Sequence, residues 1–169
     1  MKNSTKILLA TGAILLASVA FTGSVVTIRN NRRLGFTSGT RREPSTINKI
    51  ILHHTAGDLT LEQIRDIHVN ERGWSGASYH YAIEKDGTIN RLNDDLLVTW
   101  HNKADNTHSI GVALIGDFTN SDATEKQYRS ARKLVNLLRQ NYKIEYVRGH
   151  GEESNTTCPA NLNIQRIKK

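Results

Sequence analysis

Cysteine and methionine each occur once in the 169 residues, as Cys158 and Met1. A lone cysteine excludes an internal disulfide framework. It leaves that thiol three roles: buried filler, nucleophile or metal ligand. The two prolines are few, which favours a packed core over long disorder. Acidic residues are outnumbered 16 to 23, for a formal charge of +7 and a pI near 9.7. That balance suits an anionic partner such as cell wall, membrane surface or nucleic acid. The basic residues are nevertheless scattered, apart from "RNNRR" (Arg29 to Arg33) and the pair Arg41–Arg42. There is no basic stripe for reading nucleic acid, and nucleic acid is not expected as a partner. Internal repeats are absent as well.

The chain opens with a basic "MKNSTK", followed by an uncharged run from Ile7 to Ile28. As a helix, that length spans a bilayer. It also fits a secretory signal with "SVA" (Ser18 to Ala20) as a small-residue cleavage site. Residues 1–28 are therefore expected to be a signal peptide or membrane anchor, with anchoring through 7–28. Residues 29–46 read as a polar, basic linker. The globular pattern begins at Ile47 and gives a single domain over 47–169.

Within that domain "INKIILHH" (47–54) reads as a buried strand. "TLEQIRDIHVNERG" (60–73) predicts a helix, with Thr60 as N-cap, Gln63 at the capping-box position and Gly73 near its end. "SYHYAIEKDGTINRL" (78–92) predicts a hairpin turning at Asp86–Gly87. "SIGVALIGDF" (109–118) is a second buried strand. Thr124 caps a helix whose Tyr128, Ala131, Val135, Leu138 and Tyr142 share one face. "IEYVRG" predicts a short strand, and residues 161–168 a brief helix. Interleaved strands and helices imply an α/β fold, a central mixed β-sheet flanked by helices.

Three segments carry groups that do chemistry: "HHTAG" (53–57), "SYHY" (78–81) and "GHGEESNTTCP" (149–159). The last holds His150 and Cys158 on a Gly-, Ser-, Asn- and Thr-rich stretch able to fold back on itself. With one histidine from the first strand, the set becomes two His and one Cys. These are zinc ligands, and three protein ligands leave a fourth position for water. Blue copper uses the same set with a weak axial Met, and the only methionine here is Met1. A Cys–His nucleophile pair built on Cys158 is the other chemistry open to these residues. Because side chains alternate along a strand, His53 and His54 cannot both enter one site. Alternation does not say which of them does.

The segments "IILHHTAG", "RGWSGASYHYAIEKDGTI", "HNKADNTHSIGVALIGDF" and "GHGEESNTTCP" resemble, in order, the four blocks of the type 2 N-acetylmuramoyl-L-alanine amidases. That family includes phage lysozyme-type amidases and peptidoglycan-recognition proteins. The resemblance implies a zinc-dependent cut between N-acetylmuramic acid and the first L-Ala of the peptidoglycan stem peptide. It implies zinc ligands at His53, His150 and Cys158, with Tyr79 as the active-site tyrosine and Thr156 two positions before the last ligand. His54 then packs on the opposite face. Zinc lowers the pKa of a bound water from about 15.7 to about 7, and the hydroxyls of Tyr79 and Thr156 suit an oxyanion formed at the carbonyl. His101 falls where the family places a groove-lining residue. His68, His80 and His108 are expected to be structural or surface groups, and Glu152 a solvated loop carboxylate. Ser78 and Trp100 replace smaller residues usual in the family, which bears on substrate preference. The expected protein is a monomeric, exported enzyme, periplasmic or extracellular, acting on peptidoglycan. The competing expectation is a non-catalytic peptidoglycan-binding receptor, a kind of relative that typically lacks a metal ligand.

Overall fold

The computed structural model describes residues 17–21, 24–103 and 105–169. The described strands are β1 (Ala17–Phe21), β2 (Ser24–Asn30), β3 (Lys49–His54), β4 (Tyr81–Ile83), β5 (Ile89–Arg91), β6 (Ser109–Leu114) and β7 (Tyr146–Gly149). They form one sheet in the order β1-β2-β5-β4-β6-β3-β7. β3 lies between β6 and β7 and runs parallel to both, as β4 does to β6. The β4–β5 hairpin is antiparallel, so the sheet is mixed. Its turn uses Gly87 at φ +88°, where the absence of a Cβ removes the steric cost.

Alternation along the strands divides the core in two. Ile50, Leu52, Ile83, Val112 and Leu114 pack on one face with Tyr128, Leu134, Val135 and Leu138 of the long helix α2 (Glu125–Asn141). Fully burying an apolar side chain of this size contributes about 1.5–3 kcal/mol, so this layer is a main source of the sheet's stability. The other face is covered in part by the short helix α1 (Leu61–Asp66), whose Leu61 and Ile64 pack with Ala82, Leu92 and Ile115. The closing helix α3 (Gln165–Lys168) sits on the α2 side, where Ile167 joins the larger core. Both longer helices open on the capping boxes their sequences encode: Thr60 with Gln63, and Thr124 with Gln127.

Three expectations differ from the structure. The helix expected over 60–73 ends at Asp66, and a wider π-type turn, Ile67–Glu71, follows. That turn carries His68, whose Nδ1 accepts the Ser78 amide at 3.1 Å. The linker expected over 29–46 is not a free tether. Leu34 and Arg42 are buried, and the Arg42 guanidinium donates to the carbonyls of Asp95, Asn106, Thr107 and Ser109. Burial lowers its pKa to about 10. The apolar run 7–28 is also not one continuous helix. Its residues 7–16 lie outside the described residues, while 17–21 and 24–28 belong to β1 and β2. β2 pairs in parallel with β5 through Ile28 and Ile89, as β-branched "SVVTI" favours. Among the described residues no helix is long and apolar enough to cross a membrane.

Candidate metal centre

The end of β3 delivers His53, 1% exposed, to the face of the sheet opposite α2. The register gives that face small neighbours: Ala113 pairs with His53 and Gly111 with Ile51, and Ala82 on β4 pairs with Ala113. The sheet surface therefore stays low around the imidazole, and other side chains lie over it. β7 ends at Gly149, and His150 opens a single 3₁₀ turn, His150–Glu152. The following loop folds back to place Cys158 beside β3. Its return is fixed by the Gly151 amide donating to the Cys158 carbonyl at 2.6 Å and by the Cys158 amide donating to Thr156 Oγ1 at 3.2 Å. The Glu152 carboxylate accepts the Gly149 amide at 2.6 Å and so braces the same turn.

One ligand atom from each of His53, His150 and Cys158 lies within 4.8 Å of the others. Cys158 Sγ is 3.8 Å from His53 Nδ1, and the two imidazole centroids are 4.5 Å apart. Atoms bound tetrahedrally to zinc at about 2.0–2.3 Å lie about 3.3–3.8 Å from one another, so the cluster fits one ion with little adjustment. Its protonation is compatible. Burial, then the neighbouring His101 and His150, push the His53 pKa well down, and burial lowers that of His150. Both rings are neutral and free to ligate. Burial pushes the Cys158 thiol up to about 11. Burial works against the activated thiolate that a Cys–His hydrolase needs. A divalent cation is the partner that would deprotonate it.

Around the cluster, the Tyr79 ring centroid is 5.1 Å from that of His53 and 5.3 Å from that of His68. Burial first, and Cys158 second, raise the Tyr79 pKa, so its hydroxyl stays protonated. His68 is held down to about 4, chiefly by burial, and its ring meets Trp74 at 4.9 Å. Trp74 in turn meets Trp100 at 6.0 Å, and Trp100 is half exposed. A run of aromatic rings thus leads away from the cluster along the open face.

His54 leaves on the α2 side, where its Nδ1 accepts the Phe118 amide at 3.2 Å. His80 is fully buried, accepting the Gly111 amide on Nδ1 at 3.0 Å. His108 is exposed and pairs with Asp105 at 2.6 Å. His101 departs from its expected place in the groove. It is 5% exposed, with Nδ1 3.1 Å from His53 Nε2. The sequence reading also missed Gly111, Ser109 and Asn102. Asn102 accepts from Ser154 on the His–Cys loop at 3.0 Å. Ser109 and Gly111 lie in the strand "SIGVALIGDF", which is legible as a strand, but their packing against His101 is not.

The mixed sheet and its His–His–Cys cluster have the make-up of a metal-assisted hydrolase. Residues 43–161 match the family model described as N-acetylmuramoyl-L-alanine amidase. The endolysin of Enterobacteria phage T3 is 31% identical over 125 residues, covering 69% of this chain and 82% of that protein. The Ph2119 endolysin from a Thermus scotoductus bacteriophage superposes with a TM-score of 0.75 at 30% identity, over 83% of this chain and 96% of that one. Peptidoglycan-recognition protein SC2 of Drosophila melanogaster is 27% identical over 94% of this chain and 91% of its own length. The chain belongs to the N-acetylmuramoyl-L-alanine amidase family.

Proposed function

We propose that this family member is a zinc enzyme that hydrolyses the amide between N-acetylmuramic acid and L-Ala of the peptidoglycan stem peptide, outside the cytoplasm. The observation that carries the proposal is the convergence of His53, His150 and Cys158 within 4.8 Å. Bound there, zinc supplies a water whose pKa is about 7 instead of about 15.7. The chain's own groups do the rest. The Tyr79 hydroxyl donates to the oxyanion that develops on the scissile carbonyl, and it is a proton source for the departing L-Ala amine. Thr156 Oγ1 accepts from the Cys158 amide, which leaves its own proton to donate to the same oxygen. Trp74 and Trp100, arrayed outward from His68, offer apolar ring faces to substrate at a distance from the reacting bond. The net charge of +7 draws the enzyme to anionic wall polymers. The apolar residues 7–16 ahead of β1 serve export or membrane tethering.

A receptor without catalysis is the second reading, favoured by the likeness to a peptidoglycan-recognition protein. Receptors of that kind typically lack a ligand, and all three are present here. The test pairs metal analysis with digestion of isolated sacculi. One zinc per chain is expected, with activity lost to a chelator and restored by zinc. Mass spectrometry of the digest should show stem peptides with a new L-Ala amino terminus and intact glycan chains. New reducing sugar ends without free stem peptides would mean a glycosidase. Wall binding without any product would mean a receptor.

A further inference from the structure

We propose that His101 is a positioning residue for the metal centre: it accepts the Nε2 proton of His53 and so fixes the tautomer whose Nδ1 is free to ligate. The inference rests on the zinc reading of the His53–His150–Cys158 site. A neutral imidazole has one N–H and one lone pair, and only the lone pair binds metal. Nδ1 is the His53 nitrogen that faces Cys158 Sγ, at 3.8 Å. The ring proton must therefore sit on Nε2, and Nε2 lies 3.1 Å from His101 Nδ1.

The remaining partners fit that assignment without conflict. If His101 Nδ1 accepts, the proton of His101 is on Nε2, which lies 3.2 Å from Ser109 Oγ and 3.4 Å from the Ser109 carbonyl oxygen. Ser109 Oγ is free to accept because its own proton goes to the Asp105 carbonyl at 2.5 Å. The reverse assignment fails at both ends. It puts a proton on the ligating Nδ1 and turns a His101 lone pair toward the Ser109 carbonyl. Hydrogen bonds of this kind from outside the ligand set orient a metal-bound histidine and set its tautomer.

The backbone is shaped for this contact. A Cβ built on Gly111 would stand 2.5 Å from His101 Cγ and 2.7 Å from its Nδ1, distances that no side chain tolerates. The His101 ring thus lies directly on the bare backbone of β6, two register positions from His53. It is 5% exposed, which leaves little surface for substrate.

The test reads zinc affinity of the full-length protein by chelator competition, independently of turnover. His101→Ala should weaken zinc binding about 10–100-fold. Gly111→Ala should weaken it in the same direction by displacing the ring. His101→Asn, which offers a carbonyl oxygen near the place of Nδ1, should recover part of the loss. Unchanged zinc affinity with a raised KM would make His101 a substrate contact and overturn the proposal. Equal losses in the Ala and Asn variants would make it a packing residue. Should the variants not fold, nitrogen-15 NMR of the zinc-loaded wild type still decides, because ligation through His53 Nε2 overturns the assignment. A wild type that binds no zinc, or binds it equally after His53→Ala, brings down the metal reading itself. Tight wild-type binding unaffected by His101→Ala brings down only this inference.

Discussion

His53 and His54 are consecutive in β3 and project to opposite faces of the sheet. His53 joins Cys158 at 3.8 Å, whereas His54 accepts the Phe118 amide at 3.2 Å on the α2 side. The two should respond differently to the same substitution. His53→Ala should abolish zinc retention, read as metal per chain after dialysis. His54→Ala should keep the metal but leave the Phe118 N–H without its partner, at a cost of about 1–3 kcal/mol. For a chain of this size each kcal/mol corresponds to about 2–4 °C in Tm. Zinc loss in His54→Ala with retention in His53→Ala would reverse the ligand assignment.

The pattern of these elements was readable wherever the signal was local. Thr60 with Gln63, Thr124 with Gln127, and Asp86–Gly87 each declare themselves within a few residues, and the structure places caps and turn there. The distant contacts were not readable. His101 is 48 residues from His53 and shares no periodicity with it, so only the register of β3 on β6 joins them. Arg42 looked like part of a solvated basic stretch, yet carbonyls far along the chain take it inside. The choice between His53 and His54 lay beyond alternation, which permits either, and the family resemblance had to make it.

Stability should fall as the pH is lowered from 7 towards 5. Burial holds His68 near 4 and His101 near 3, against about 6.5 in an unfolded chain. Below 6.5 the unfolded state takes up protons that the folded state refuses. Each histidine therefore costs about 1.4 kcal/mol per pH unit, until the pH reaches its folded value. Urea unfolding of the metal-free protein at several pH values measures the slope. His68→Gln, which keeps an acceptor for the Ser78 amide, should flatten that slope by up to one proton. Stability that is constant or rising between pH 6.5 and 5 would contradict the burial argument.

β2 changes what a truncation should do. Val26 is 7% exposed within the larger core, and Ile28 to Asn30 pair with β5. A chain starting at residue 31 uncovers the edge of β5 and loses the burial of Val26 alone, worth about 1.5–3 kcal/mol. Its Tm should drop by roughly 5 °C or more. A chain starting at residue 17 retains both strands and should melt close to the full-length protein. Fractionation of expressing cells tests the export reading with the same pair. The full-length chain should reach the membrane or exported fraction, and the chain starting at 17 should not. Equal melting of all three chains would mean that β1 and β2 add nothing to the fold.

Tyr79 places its ring 5.1 Å from that of His53, and burial raises its pKa, so its hydroxyl keeps its proton near neutral pH. Removing one oxyanion donor from a preorganised site typically costs about 10²–10³ in rate. Tyr79→Phe deletes only the hydroxyl, and the ring can keep its contacts with His53 and His68. Zinc content and Tm should therefore match the wild type while kcat on sacculi falls on that order. Thr156 is different, because its Oγ1 also accepts the Cys158 amide. Thr156→Val removes the oxyanion donor and the brace together. Thr156 is also exposed, so water can stand in for its hydroxyl, and the loss in kcat should be smaller, with some loss of zinc affinity. Thr156→Ser restores the hydroxyl and should restore both. A Tyr79→Phe enzyme with full turnover would remove Tyr79 from the chemistry and leave the oxyanion to Thr156 and the metal.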